Sequence, residues 1–377
     1  MTNATISTTE ETRKKIFRIM SSVNLRWVER EDLLKGLVLS LLTGSDLLAI
    51  GRPGCAKSAV IKDFLAHLSM KKFSRQLNQF STDKDLLGDI NPKIFLDTGV
   101  RIHASSNTLL DCDVAFIDEV FKGTKGARAA MLEPLADRQF SENGDTEDIP
   151  LLSMFSASNE LPGDVADAAF YSRLQLRIVV NDIGTSVGIG QALWGVQPAR
   201  CSDRLTREEV LSAREEIEQV TFPDAVRKKC HAVFEEMQEL GIKLDQRKRM
   251  KAFGVRCSLA QAEAWLNGRT EVRIEDLRVA TMTFWSKPSH EREVRNIIMK
   301  TCTPKMSSAA DKFNEVHEYY NMKPLGQMDD DQLTKLLVMV KGVRTPNIFR
   351  HLTMTQRNLT TEISEKAAAI ILQRNKS

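Results

Sequence analysis

The run Leu47-Leu48-Ala49-Ile50-Gly51-Arg52-Pro53-Gly54-Cys55-Ala56-Lys57-Ser58 decides how the rest of the chain is read. Four apolar residues of strand length meet a glycine and proline turn, and a helix-like segment, Ala59 to Ser69, follows at once. Strand, glycine loop and helix in that order open a βαβ unit. The turn fits G-x-x-x-x-G-K-[ST] except that Ala56 stands where the second glycine belongs and an extra glycine falls at Gly54. Gly51 and Gly54 allow the backbone to curl so that successive N–H groups face inward, and the helix adds its positive N-terminus. Such a loop, here Gly51, Pro53, Gly54, Cys55, Ala56, Lys57, Ser58 and Ala59, is built to hold the phosphates of ATP. Lys57 is expected on the β- and γ-phosphates and the Ser58 hydroxyl on Mg²⁺.

Outward from the loop, Val114-Ala115-Phe116-Ile117-Asp118-Glu119 is an apolar strand ending in two carboxylates. In the same sheet as the loop, Asp118 falls beside the Mg²⁺ and Glu119 is placed to polarise an attacking water. Further buried strands are expected at Gln76–Phe80, Leu151–Ala157 and Leu174–Val180. Five strands alternating with helices predict an α/β fold around a mostly parallel sheet covered on both faces. Two hairpins are expected, Ile94 to Ile102 turning at Asp97-Thr98-Gly99, and Gln139 to Leu152 turning at Asn143-Gly144. Residues 1–30 read as a polar start with a short helix, and Gly184 to Gln197 as a glycine-rich linker. Helical periodicity then covers Arg207–Ile217, Pro223–Leu240, Arg256–Asn267 and Ile274–Thr283, and after Pro288 the stretches Glu291–Lys300, Asp330–Val343 and Thr360–Gln373. The expected division is 1–30, 31–190 for the α/β domain, 200–287 for a helical domain and 288–377 for a helical extension.

Phe80-Ser81-Thr82, Gly88, Ile117 to Lys122, Leu135 to Phe140 and Ala157 to Pro162 resemble the AAA+ ATPases of the MoxR family, with the RavA branch closest. The resemblance runs from about Asp32 to Val180, weakens across the lid and is lost beyond about Pro288. It implies a P-loop AAA+ core with a helix-2 insert around Asp97–Gly99, a hairpin before sensor 1, a helical lid and homo-hexameric rings with ATP between subunits. It implies Asn159 as sensor 1 and Arg173 as the arginine donated to a neighbour's site, with Arg177 as the fallback. Ser172 stands where the family has an acid. It implies a lid arginine as sensor 2, for which Arg249 is chosen with Arg247, Lys251 and Arg256 as rivals. Members commonly work beside proteins with a von Willebrand factor A domain, in chaperone-like or metal-insertion roles.

The bulk numbers set limits. The chain has 377 residues, 42% hydrophobic and 27% charged, with 53 Lys and Arg against 50 Asp and Glu. That near-balance gives no whole-chain reason to expect nucleic acid or a membrane surface. A DNA-linked motor is the second reading, thinly supported because Lys93 and Arg101 are offset by Asp89 and Asp97. A nucleotide-gated scaffold is the third, opposed by Glu119 and Asn159. Six scattered cysteines, a polar Met1 to Lys15 and a Leu33 to Ile50 stretch broken by Lys35, Gly36, Ser45 and Asp46 predict a cytoplasmic protein with reduced thiols and no membrane span. Trp265 and Trp285 are expected in a core, and no chemistry is assigned to His67, His103 or His231.

Overall fold

In the computed structural model, Leu47–Ile50 is strand β1, buried at all four positions. The described residues are 3–374 without Arg101, 162–166, 196–197, 243, 303–311, 315, 318, 322 and 345–351, so Arg101 and Pro162, quoted above, lie outside them. Ahead of β1 come α1 (Asn3–Arg26) and α2 (Glu31–Thr43). After it come α3 (Lys57–Leu65), β2 (Leu68–Ser69), β3 (Lys72–Gln76), α4 (Lys84–Leu87), α5 (Pro92–Thr98) and β4 (Val114–Asp118). Then follow α6 (Lys125–Ala130), α7 (Leu132–Asp137), β5 (Gln139–Glu142), β6 (Asp145–Asp148), β7 (Ser153–Ser158), α8 (Ala168–Arg173) and β8 (Leu176–Val179). Five strands form a sheet in the order β3-β4-β7-β1-β8, every pair parallel. The register sets Ile50 beside Ser158 and Val179, and Asp118 beside Ala157 and Gln76. The carboxyl ends of β1, β4 and β7 therefore open on one edge, where ligands of open parallel sheets bind.

Three expectations fail here for identifiable reasons. The second strand lies at Lys72–Gln76, not Gln76–Phe80: β3 is an edge strand with only Phe73 buried, so it carries no apolar run, and Phe80 is exposed. Residues 94–102 are not a hairpin. Pro92–Thr98 is a helix with proline in its first turn, its Asn91 cap accepting from Lys93 N at 3.1 Å, and Gly99 at φ +72° ends it. The Asp97-Thr98-Gly99 signal is a helix stop. An antiparallel bridge between Ile90 and His103 closes the foot of this insert. The linker too holds a helix, α9 (Ser186–Trp194), capped by Thr185, with Val187, Ile189, Leu193 and Trp194 exposed. The second hairpin forms as expected: β5 and β6 pair antiparallel around Asn143 and Gly144, both at positive φ, a type I′ arrangement.

The lid begins with β9 (Leu205–Thr206), which pairs with β2, and continues through α10 (Arg207–Glu218), α11 (Asp224–Glu239), α12 (Gln246–Phe253), α13 (Leu259–Leu266), a 3₁₀ stretch Ile274–Met282 and α14 (Pro288–Cys302). One continuous core joins sheet and lid and includes Trp265, Trp285, Val294 and Ile298. The N-terminal segment is a 24-residue helix, longer than the short one expected, whose Ile16, Ile19 and Val23 enter the same core. We therefore count α1 with the α/β unit and start the C-terminal unit after Cys302. That unit, with α15 (Asp330–Val343) and α16 (Met354–Arg374), has its own core of Phe313, Val316, Leu333, Leu336, Val340 and Ile363. Leu333, Leu336 and Val340 on α15 and Ile363 and Ala367 on α16, spaced as apolar faces of helices, are thus core.

Lid and sheet meet at the carboxyl end of α2, where helix carbonyls lack internal donors. Arg214 donates to Leu41 O at 2.7 Å, Cys257 to Leu42 O at 3.2 Å, Lys251 to Thr43 O at 2.9 Å and Arg138 to Gly44 O at 3.1 Å. Arg138 also pairs with buried Asp46 at 2.9 Å.

Candidate functional site

The glycine loop is shaped by close backbone approach. A Cβ on Gly51 would fall 2.2 Å from Val180 O, so only glycine fits. Gly54 has φ +88° and Ala56 φ +64°. The left-handed conformation that the motif's second glycine would supply is present with a side chain in its place, at a cost of roughly 1–2 kcal/mol. Cys55 is buried, its thiol donating to Arg52 O at 3.0 Å, which matches a small filler. Pro53 is exposed at the loop, and Ser58 and Ala59 are half-buried in the first turn of α3, which has no side-chain cap.

Lys57 is buried, and its ammonium donates to Gly51 O at 2.8 Å, Arg52 O at 2.9 Å and Asn159 Oδ1 at 2.8 Å. Asn159 follows the last residue of β7, and its Nδ2 donates to Glu119. An ammonium can only donate and a carboxylate can only accept, which fixes the orientation of the amide between them. Glu119 sits just past β4 at φ +53°, with Lys122 Nζ 3.5 Å from its other oxygen. Asp118 Oδ1 accepts from Glu119 N at 3.0 Å. The side chains singled out on β4, β7 and the loop are thereby brought into one chain, Lys57–Asn159–Glu119, with Asp118 at its base.

The expected arginines fare differently. Arg173 ends α8, half-buried, donating to Ala169 O at 3.1 Å and lying 3.5 Å from Ser172 Oγ. Arg177, the fallback, is ruled out as a surface donor. It is 2% exposed, donates to Trp285 O at 2.7 Å and Tyr171 O at 2.9 Å, and lies 4.2 Å from the Tyr171 ring centroid. Burial pushes its pKa down. Arg249 stacks over Phe234 at 5.3 Å, while Arg247 and Arg256 are exposed and Lys251 is committed to α2. None of these bonds leads to the Lys57–Asn159–Glu119 chain. Lys248, not singled out from the sequence, is buried with its ammonium 2.6 Å from Ser286 Oγ, and burial lowers its pKa to about 8.

Two residues missed by sequence reasoning border the loop. Arg30, at the start of α2, is 6% exposed and donates Nε to Cys55 O at 3.0 Å. Glu29 accepts from Gly184 N at 2.8 Å and Thr185 N at 3.1 Å. Beside them a cleft of about 270 Å³ runs between Arg30 to Leu33 and Ile178 to Asp182. It shares Asp32, Ile178, Val179 and Asn181 with a second cavity of about 260 Å³ that Thr281, Met282 and Trp285 of the lid also line. Val180, whose carbonyl lies against Gly51, lines the first cleft, so the first cleft borders the loop and the second cavity borders the lid.

Residues 14–215 match the model of the MoxR domain in the MoxR–vWA–beta-propeller ternary systems, and residues 225–298 match an AAA lid domain. The chain belongs to the MoxR family of AAA+ ATPases. Two uncharacterized proteins of Methanocaldococcus jannaschii are similar to this AAA+ chain. One is 25% identical over 89% of both chains; the other is 26% identical over 75% of this chain and 74% of its own. A structural protein of Acidianus two-tailed virus is 24% identical over 45% of this chain and 28% of its own. Among solved structures, a candidate ATPase from Cytophaga hutchinsonii superposes with a TM-score of 0.60 at 17% identity, covering 79% of this chain and 96% of its own. That likeness speaks for the fold, an α/β sheet with a helical lid.

The geometry fits a bound nucleotide. Gly54 has open space where a Cβ would stand, Gly51 lets the loop pack directly on Val180 O, and the N–H groups at the start of α3 have no side-chain cap. Among the described residues no group of three or more His, Cys, Asp or Glu could hold a metal ion alone. A Mg²⁺ at Ser58 and Asp118 would thus depend on phosphate oxygens and water for its other ligands, as this ion usually does.

Proposed function

We propose that this MoxR-family chain hydrolyses ATP with Mg²⁺ and uses the turnover to remodel a protein partner. The observation that carries the reading is the Lys57–Asn159–Glu119 chain at the carboxyl ends of β1, β7 and β4. Gly51, Pro53, Gly54, Cys55, Ala56 and Ala59 enclose the phosphates, and Lys57 lies against the β- and γ-oxygens. Ser58 and Asp118 would hold the Mg²⁺, which would supply neutralisation of phosphate charge. Glu119 orients the attacking water and takes its proton, and Asn159 aligns water and γ-phosphate. The nucleoside is assigned to the cleft between Arg30 to Leu33 and Ile178 to Asp182, next to the cavity that the lid residues Thr281, Met282 and Trp285 line.

The reading extends to a homo-hexamer of RavA type in which Arg173 completes the neighbour's site and Arg249 serves as the lid sensor. A partner with a von Willebrand factor A domain is supported by the description of the matching family model, which names such systems. A protein client is favoured over DNA because the insert helix α5 exposes Phe95 and Leu96 and balances Lys93 with Asp97. Placement in the cytoplasm agrees with six free cysteines. No helix among the described residues is long and apolar enough to cross a membrane.

The test is recovery of Glu119→Gln protein with ATP and Mg²⁺, sized by mass photometry and its companions identified by mass spectrometry. A hexamer carrying a von Willebrand-domain protein supports the whole reading. A ring that retains DNA moves the substrate to nucleic acid, and a monomer that binds ATP without assembling removes Arg173 from the mechanism.

A further inference from the structure

Arg30 is a buried cation outside the motif residues, and its bonds set it apart from an ordinary core arginine. Nε donates to Cys55 O at 3.0 Å and Nη1 to Glu29 O at 2.6 Å. Glu29 in turn holds the start of α9 through Gly184 N and Thr185 N. Two consecutive residues before α2 thus strap the apex of the phosphate loop to the segment leaving β8. In a planar trans peptide the carbonyl and the following N–H point in opposite directions. With Cys55 O turned toward Arg30, Ala56 N–H points to the opposite side, away from Arg30.

The residue after that peptide makes the strap matter. Ala56 has φ +64° and ψ 17°, a conformation in which L residues other than glycine are disfavoured. Rotation of the Cys55–Ala56 peptide would return Ala56 to negative φ, but it would also pull Cys55 O off Arg30 and turn the Ala56 N–H away from the phosphate. A glycine at position 56 would feel no such pull. We infer that Arg30 is a positioning residue of the phosphate loop: it holds the Cys55–Ala56 peptide in its phosphate-facing orientation and so compensates for alanine where the motif has glycine. Arginine suits the task because one planar fork reaches the Glu29 and Cys55 carbonyls together, whereas a lysine ammonium is a single point donor on a flexible stem.

This rests on the proposal that the loop binds nucleotide phosphate, and the experiment separates the two. The full chain is titrated with mant-ATP and MgCl₂ as wild type, Arg30→Met, Arg30→Lys, Ala56→Gly, both Arg30 variants combined with Ala56→Gly, and Lys57→Ala. Thermal unfolding of each variant is recorded in parallel. Arg30→Met is expected to weaken mant-ATP about tenfold with alanine at 56 and by less than about threefold with glycine at 56. Arg30→Lys falls between. A merely structural arginine would lower the melting temperature in both backgrounds while folded protein kept its affinity. Unchanged affinity of Arg30→Met, or an equal loss in both backgrounds, overturns the inference. Should Arg30→Met not fold, the two Arg30→Lys backgrounds carry the same comparison with the same sign. A wild type that ignores mant-ATP, or a Lys57→Ala variant that binds it as well as wild type, refutes the nucleotide site itself and the inference with it.

Discussion

Replacing Lys251 by methionine should change the stability of the protein by an amount that moves in favour of wild type as the pH rises from about 7 to about 9.5. The Lys251 ammonium is enclosed between lid and sheet, bonded to Thr43 O, with Asp46, Cys257, Arg214 and Arg138 as the charged and titratable groups around it. Burial lowers its pKa from 10.5 to about 8. For a base, a folded pKa below the unfolded one means that the charged form is penalised in the folded state. The penalty is fully present below about pH 8 and is relieved between about 8 and 10.5, because there the unfolded chain binds the extra proton. A shift of about 2.5 units corresponds to about 3 kcal/mol at pH 7, falling to about 1 kcal/mol near pH 9.5. Methionine keeps the stem packing and deletes the charge, but it leaves Thr43 O without a donor at a cost of about 1–3 kcal/mol. The sign at pH 7 thus depends on two terms of similar size, while the change with pH depends on one. Guanidinium unfolding of wild type and Lys251→Met at pH 7, 8.5 and 9.5 isolates it. The stability difference should move by about 2 kcal/mol in favour of wild type across that range. Parallel curves would refute the claim that this ammonium is desolvated.

Glu119→Gln should lower phosphate release at least about 100-fold while leaving nucleotide affinity within about threefold, read by a phosphate sensor and by titration. Gly51→Ala should cost about 1–3 kcal/mol in chemical unfolding and abolish nucleotide binding, because the added Cβ meets Val180 O at 2.2 Å with backbone on both sides. Lys57→Ala and Arg173→Ala proteins should each be inactive alone yet recover phosphate release when mixed, since each supplies the half-site the other lacks. A mixture as silent as its parts would show that Arg173 does not act across subunits.

What the sequence made legible is what local chemistry dictates. The loop at Gly51 to Ser58, the two carboxylates closing Val114 to Glu119 and the turn at Asn143-Gly144 each carry their instructions within a few residues, and each stands where it was expected. The failures are tertiary. β3 is hidden because an edge strand with one buried side chain has no apolar run to announce it. The Asp97-Thr98-Gly99 signal is ambiguous between hairpin and helix stop, and Pro92 behind an asparagine cap decides for the helix. Arg173 and Arg177 differ by four positions and look alike in sequence, but one ends a short helix and the other points into the lid. Arg30 meets Cys55 across 25 residues, a contact no local pattern encodes.

The same limit applies to the end of α2, and there it has consequences for how nucleotide and lid communicate. Leu41, Leu42, Thr43 and Gly44 present carbonyls to four donors from separate places in the chain: Arg214 on α10, Cys257 before α13, Lys251 on α12 and Arg138 at the foot of the β5–β6 hairpin. Asp46, one residue before β1, accepts from Arg138 and from Met154 N on β7, the strand that leads to Asn159. The helix terminus favours cations through its dipole, and three of the four donors are basic side chains. A rotation of the lid that broke this junction would orphan a buried carbonyl, at about 1–3 kcal/mol for each group. A displacement of α12 or of the hairpin that kept these bonds would therefore act on the chain entering β1, and β1 leads to Gly51. The polar groups at the foot of the sheet link the lid mechanically to the phosphate loop at its top.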